Sequence, residues 1–112
     1  MPQNETVAAK VRAAVLPIVK ICDPGAYRGK AQEYCVYSLF RKPALHGDDR
    51  PRAMRYLVTV HWFLPISVNP ESKLQSLSRA LAQLGTYPSV TDASDLRGQH
   101  FVFQFEAVGG GV

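Results

Sequence analysis

Two groups of side chains have the types needed to hold a metal: His46 with Asp48 and Asp49, and Asp92 with Asp95 and His100. Imidazole and carboxylate are ordinary ligands of divalent ions. Neither group, however, repeats at an interval that a helix or hairpin would gather into one cluster, and aspartate in such polar stretches serves turn formation. No metal and no cofactor is expected. Serines and two cysteines could act as nucleophiles, but none stands in a strand-turn-helix elbow, and GAYRG (Gly25 to Gly29) lacks the spacing and the Lys-Ser/Thr of a phosphate loop. A general acid–base pair needs two carboxylates brought together by folding, which spacing alone does not supply. His61, set among apolar neighbours, reads as a half-buried structural histidine. The chain is expected not to be an enzyme.

Positive charge offers a second chemistry. The formal net charge is +4, and between Arg41 and Arg55 five basic residues (Arg41, Lys42, Arg50, Arg52, Arg55) face two acidic ones (Asp48, Asp49), so 5 − 2 gives this stretch +3. Such a protrusion can meet phosphates, and nearby tyrosines can stack on bases. Interleaving is poor, because the aromatics fall in strand-like runs and the charges between them. A small basic nucleic-acid-binding module using residues 41–55 is therefore the alternative reading rather than the first. Cys22 and Cys35 each lie in or beside an apolar run, without the close spacing or adjacent histidines of a zinc site, and read as reduced cysteines packed as small hydrophobes. They could be bridged if their runs became neighbouring strands, but a cytoplasmic chain would rarely keep such a bond.

The elements that must position these groups are ordered around Met54 to Leu64, MRYLVTVHWFL. At a period of two, Met54, Tyr56, Val58, Val60, Trp62 and Leu64 share one wholly apolar face, while Arg55, Leu57, Thr59, His61 and Phe63 share the other. The first face is expected in the core, and the second partly covered or turned to a partner. Before it, Asn4 to Leu16 has helical periodicity with Asn4 or Thr6 as cap, Ile18 to Cys22 reads as a short strand ended by a turn at Asp23-Pro24-Gly25, and Tyr34 to Phe40 as a second strand. A long basic loop, 41–53, then leads into the central strand. After it, Asn69 can cap a helix with Pro70 at its first position, a stripe of Leu74, Leu77, Leu81 and Leu84, and Gly85 as stop. Tyr87 to Thr91 and His100 to Val108 read as strands, the latter with Phe101, Phe103 and Phe105 on one face.

The 112 residues are 46% hydrophobic, which suits one core in a single domain spanning 1–112, with flexible ends at 1–5 and 109–112. Helix, three strands, helix and two strands predict an α+β fold: a mainly antiparallel sheet of about four to five strands with two helices packed on one face. No run approaches a membrane span, and the opening MPQNETVAAK lacks the basic-then-apolar layout of a secretory leader, so a cytoplasmic protein is expected. The aromatic strands offer more apolar surface than two short helices cover. Leu57, His61 and Phe63 are accordingly candidate contacts to another chain, and Arg41, Lys42, Arg50 and Arg52 join them as the charges of the long loop, whose length marks it as the place for function.

QEYCVYSLF, DDRPRAMRYLVTVHWFLP, ALAQLGTYPSV and HFVFQFEA, in that order after an N-terminal helix, resemble the small tail completion or tail terminator proteins of long-tailed bacteriophages, from about Val7 to Val108. The resemblance implies a virion structural protein without enzymatic activity. Such proteins form a homo-oligomeric ring, commonly a hexamer, at the head-proximal end of the tail; there they stop tube polymerisation and offer the surface that the head connector binds. It implies as partners the chain itself, a tail tube protein and a head–tail connector protein, with phage DNA nearby and no membrane. Its place would be the virion tail, and the host cytoplasm during assembly.

Overall fold

The structure is a computed structural model that describes residues 6–42 and 54–109. Seven elements follow one another: α1 (Val7–Val15), β1 (Cys22–Pro24), β2 (Tyr34–Lys42), β3 (Met54–Leu64), α2 (Glu71–Ala82), β4 (Ser89–Asp92) and β5 (Gln99–Gly109). The strands form one sheet in the order β1-β2-β3-β5-β4, antiparallel except for the β1–β2 pair. This is the expected α+β fold with a mainly antiparallel sheet. Residues 1–5 and most of the expected loop, 43–53, lie outside the described residues, as do 110–112. Arg41 and Lys42 continue β2 rather than starting a loop, and Gly109 ends β5.

Helix α1 begins after Thr6, whose Oγ1 accepts a hydrogen bond from the Ala9 N–H at 3.1 Å, and buries Val7, Val11 and Val15 at helical spacing. The expected strand from Ile18 is displaced. The Val15 carbonyl accepts from both Ile18 and Val19, so the chain turns, and β1 starts four residues after Ile18, parallel to β2, over Cys22, Asp23 and Pro24. Pro24 is tolerated because β1 is an edge strand with no ladder partner for the missing N–H. The turn then falls at Gly25, whose φ of 75° suits glycine.

Helix α2 starts one residue later than its sequence signal. Pro70 occupies the cap position, and Asn69 Oδ1 accepts from the Glu71 N–H at 3.0 Å, an Asx turn that hands the chain into the helix. Leu77 and Leu81 are buried, and Leu74 and Leu84 are partly buried against the same cluster. Both helices cover the face of the sheet that carries Tyr56, Val58, Val60 and Trp62 of β3 and Phe101, Phe103, Phe105 and Ala107 of β5. Within this core the Trp62 indole N–H donates to Glu33 Oε2 at 3.0 Å, and Lys73 Nζ of α2 donates to both Glu33 oxygens at 2.9 and 3.0 Å. One carboxylate thus satisfies the only polar atom of the tryptophan and ties the start of β2 to β3 and α2.

Gly85 bridges to Ala107 of β5, and a Cβ at this glycine would sit inside the van der Waals envelope of the Glu106 carbonyl. Its lack of a side chain serves this close approach of two backbones, which draws the end of α2 onto the sheet. Gly85→Ala is expected to lower the unfolding free energy by about 1–3 kcal/mol, as overpacking does elsewhere. A urea titration measures it, and an unchanged midpoint would show that the two backbones can part without cost.

Candidate functional site

The alternation that buries Tyr56, Val58, Val60 and Trp62 sends Leu57, Thr59, His61 and Phe63 to the opposite face, where neither helix lies. Register adds their neighbours. On the β2 side Phe63 stands opposite Tyr34, His61 opposite Val36, Thr59 opposite Ser38 and Leu57 opposite Phe40. On the β5 side the same residues stand opposite His100, Val102, Gln104 and Glu106. The face has two characters. Toward one end lie Phe40, 65% exposed, and Leu57, and beyond them Arg55, paired in register with Lys42. At the other end an aromatic row crosses the sheet. Tyr27 packs on Tyr34 with ring centroids 4.5 Å apart, Tyr34 on Phe63 at 4.8 Å, and Phe63 on His100 at 4.2 Å. The first pair is tilted and the other two are stacked.

His61 Nδ1 lies 2.8 Å from His100 Nε2. The ring centroids are 5.1 Å apart, the separation reached when both nitrogens lie on the line between the rings, so one ring's N–H points head-on at the other's lone pair. This is a hydrogen bond between two imidazoles rather than two lone pairs converging on a third point. Burial lowers the pKa of both, and that of His100 is lowered further by His61, while Asp95 pulls it the other way. Beside the pair, at the end of the sheet, is a cleft of about 610 Å³ lined by Tyr34, Phe63, Pro65, Arg97, Gln99 and His100 among others. Its floor is fixed by Gln99, whose Nε2 donates to the carbonyls of Pro65 at 2.9 Å and Val68 at 2.6 Å.

Of the residues singled out from the sequence, Leu57, His61 and Phe63 lie together on this open face, all half-buried. Arg41 does not join them. It is exposed and paired with Tyr56, hence on the helix-bearing side of the sheet. Arg50 and Arg52 lie outside the described residues, as do His46, Asp48 and Asp49. The other suspected metal group is taken up by local structure: Asp92 Oδ1 accepts from the Ser94 N–H, and the Ser94 side chain followed by that N–H lowers the Asp92 pKa, Asp95 Oδ1 accepts from the Arg97 N–H, and His100 is bonded to His61. Among the described residues no three His, Cys, Asp or Glu side chains are placed to hold a metal ion.

Tyr27, Tyr34, Val36, Phe40, His100 and Val102 belong to the face although strand patterning alone did not single them out as contacts. The parity of Phe101, Phe103 and Phe105 already put His100 on the face opposite the core, but only the β3–β5 register brings it to His61. No family model matches the chain, and no curated protein matches it in sequence.

Cys22 and Cys35 are directly paired across β1 and β2, and both are buried and free. Burial pushes the Cys22 thiol up to about 11 and raises Cys35 further. Neither is a thiolate at neutral pH, so neither is a nucleophile in the folded chain. A thiol reagent at about pH 8 is expected to label both slowly in the native protein and rapidly in urea. Fast native labelling, followed by absorbance, would contradict the burial of these strands.

Proposed function

We propose that the protein is a structural assembly subunit of a bacteriophage tail, a tail terminator that self-associates into a ring, caps the tail tube and presents the surface to which the head connector binds. The observation that carries the assembly reading is the open face of the sheet. Tyr34, Val36, His61, Phe63, His100 and Val102 form an aromatic and apolar patch on β2, β3 and β5, a polar row of Ser38, Thr59 and Gln104 parts it from Phe40 and Leu57, and the two helices cover the other side. Exposed apolar patches of this kind mark protein–protein contact. The phage assignment rests on the segment order and on the stretches quoted above.

The face is not self-complementary by inspection. One end is aromatic with a cleft, and the other carries Arg55, which suits a head-to-tail contact, and such contacts close into rings when the rotation allows. The tube protein and the connector are then the partners of the two ring surfaces. The basic stretch leading into β3 is the arm that reaches a neighbour or faces the DNA path. A nucleic-acid module draws less support. Arg41 lies on the side away from the aromatic row, and Arg55 is eight residues along β3 from Phe63, roughly 26 Å at strand rise.

The test is the pair of substitutions Leu57→Ser and Phe63→Ser, examined by negative-stain microscopy and sedimentation of the protein alone and with a tail tube protein. Rings or co-assembly in the wild type, lost in a variant that keeps its circular dichroism and melts within a few degrees of wild type, are expected. A wild type that stays monomeric and binds no tail or connector component would overturn the reading. Variants that simply unfold would return both side chains to the fold interior.

A further inference from the structure

The His61–His100 hydrogen bond joins β3 to β5 at the aromatic end of the proposed docking face and has a property that no other contact described there shares. It requires a lone pair on one imidazole. With no proton added, one ring donates and the other accepts. With one added, the bond remains and is charge-assisted. With two, both nitrogens carry hydrogens and the contact becomes a repulsion between cations. We propose that this pair is a proton-operated latch that holds β3, β5 and the turn before β5 in docking geometry at neutral pH, and opens in acid to release the neighbouring subunit. The coupling to release rests on the assembly reading above; the latch itself does not.

The surroundings decide what opening moves. His100 is bound on its backbone side to the 93–98 turn, with its N–H donating to Ser94 Oγ at 3.0 Å and its carbonyl accepting from Ala93 at 2.7 Å. Phe63 stacks on His100, and through Tyr34 the stack reaches β2. A ring that swings away from His61 therefore disturbs the aromatic row and one wall of the cleft together.

The groups that could offset a second charge are few. On β2 the neighbours are Val36, opposite His61, and the phenol of Tyr34. On β4 the residue opposite Val102 is Thr91. The 93–98 turn supplies Asp95, whose carboxylate favours a charged His100, and Arg97, which lines the same cleft. On β3 and β5 themselves, Arg55 and Glu106 share the face but lie toward its far end. Among the described residues, one carboxylate, already engaged with the Arg97 N–H, is set against two imidazolium charges. Docking would strip water from the pair and raise the cost of the doubly charged state further. The direction follows. Both histidines bind protons less readily folded than unfolded, so their contribution to stability is complete above the unfolded value of about 6.5 and is lost as pH falls below it.

Histidine ring resonances of the full chain, followed by NMR from about pH 8 to about pH 4.5 with His46→Gln to remove the third histidine, test the latch. Two unequal steps below about 6.5 are expected, collapsing to one step at higher pH for His61 in His100→Gln. Independent titration of both rings near 6.5 would overturn it. The wild-type titration stands even if a variant fails to fold. Sedimentation at about pH 7.5 and about pH 5 tests the coupling: self-association is expected to weaken at least tenfold in acid in the wild type and much less in His100→Gln. Equal assembly at both pH values would overturn the release step with the latch intact. A chain monomeric at both would instead sink the assembly reading and the release step together, leaving the NMR result to decide the latch.

Discussion

The antiparallel ladder between β3 and β5 is the constraint on which the rest of the structure depends. It runs for the full length of both strands, from Met54 opposite Gly109 to Leu64 opposite Gln99. Because side chains alternate, a slip of one residue would turn Phe101, Phe103 and Phe105 away from the helices and bring His100, Gln104 and Glu106 beneath them. The core could not survive that exchange. The open face is thus held in register by the same interaction that closes the core, and the pairing of His61 with His100 is a by-product of how the phenylalanines are buried.

Two short helices set how much of the sheet can be sealed. With nine and twelve residues, α1 and α2 cover one side, and the end of α2 reaches β5 only because Gly85 lets the backbones meet. The Glu33 carboxylate, held by Lys73 and accepting from Trp62, closes the rim of that layer. Nothing equivalent exists on the other side among the described residues. With only two short helices among the described residues, both on one side, the other face of the five-stranded sheet has no helical layer, and the aromatic row from Tyr27 to His100 is what the chain offers there.

Local pattern was readable in the sequence where it was strong and self-contained. The bounds of β3, the face of β5 that carries three phenylalanines and the leucine stripe of α2 all follow from periodicities that need no partner. Position along the chain was less readable where a partner decides it. Strand β1 was expected over Ile18 to Cys22 but forms over Cys22 to Pro24, because the carbonyl of Val15 captures two N–H groups and pairing with β2 fixes the register of what remains. The histidine pair was hidden for the same reason. His61 and His100 were each visible, one as a structural histidine and one as a doubtful metal ligand, and only a contact between strands whose near ends are 35 positions apart joins them.

That separation has a consequence for the chain while it is being made. Strands β2 and β3 can pair as soon as both exist, but β3 must wait for α2, β4 and β5 before its second edge is filled and its inner face covered. Until then MRYLVTVHWFL is an open-edged ribbon of high β-propensity with Arg55 as its one formal charge, free to template the same segment of another chain. Arg55 at one end and Pro65 just past the other act as gatekeepers, and the basic stretch before the strand adds like-charge repulsion between nascent copies.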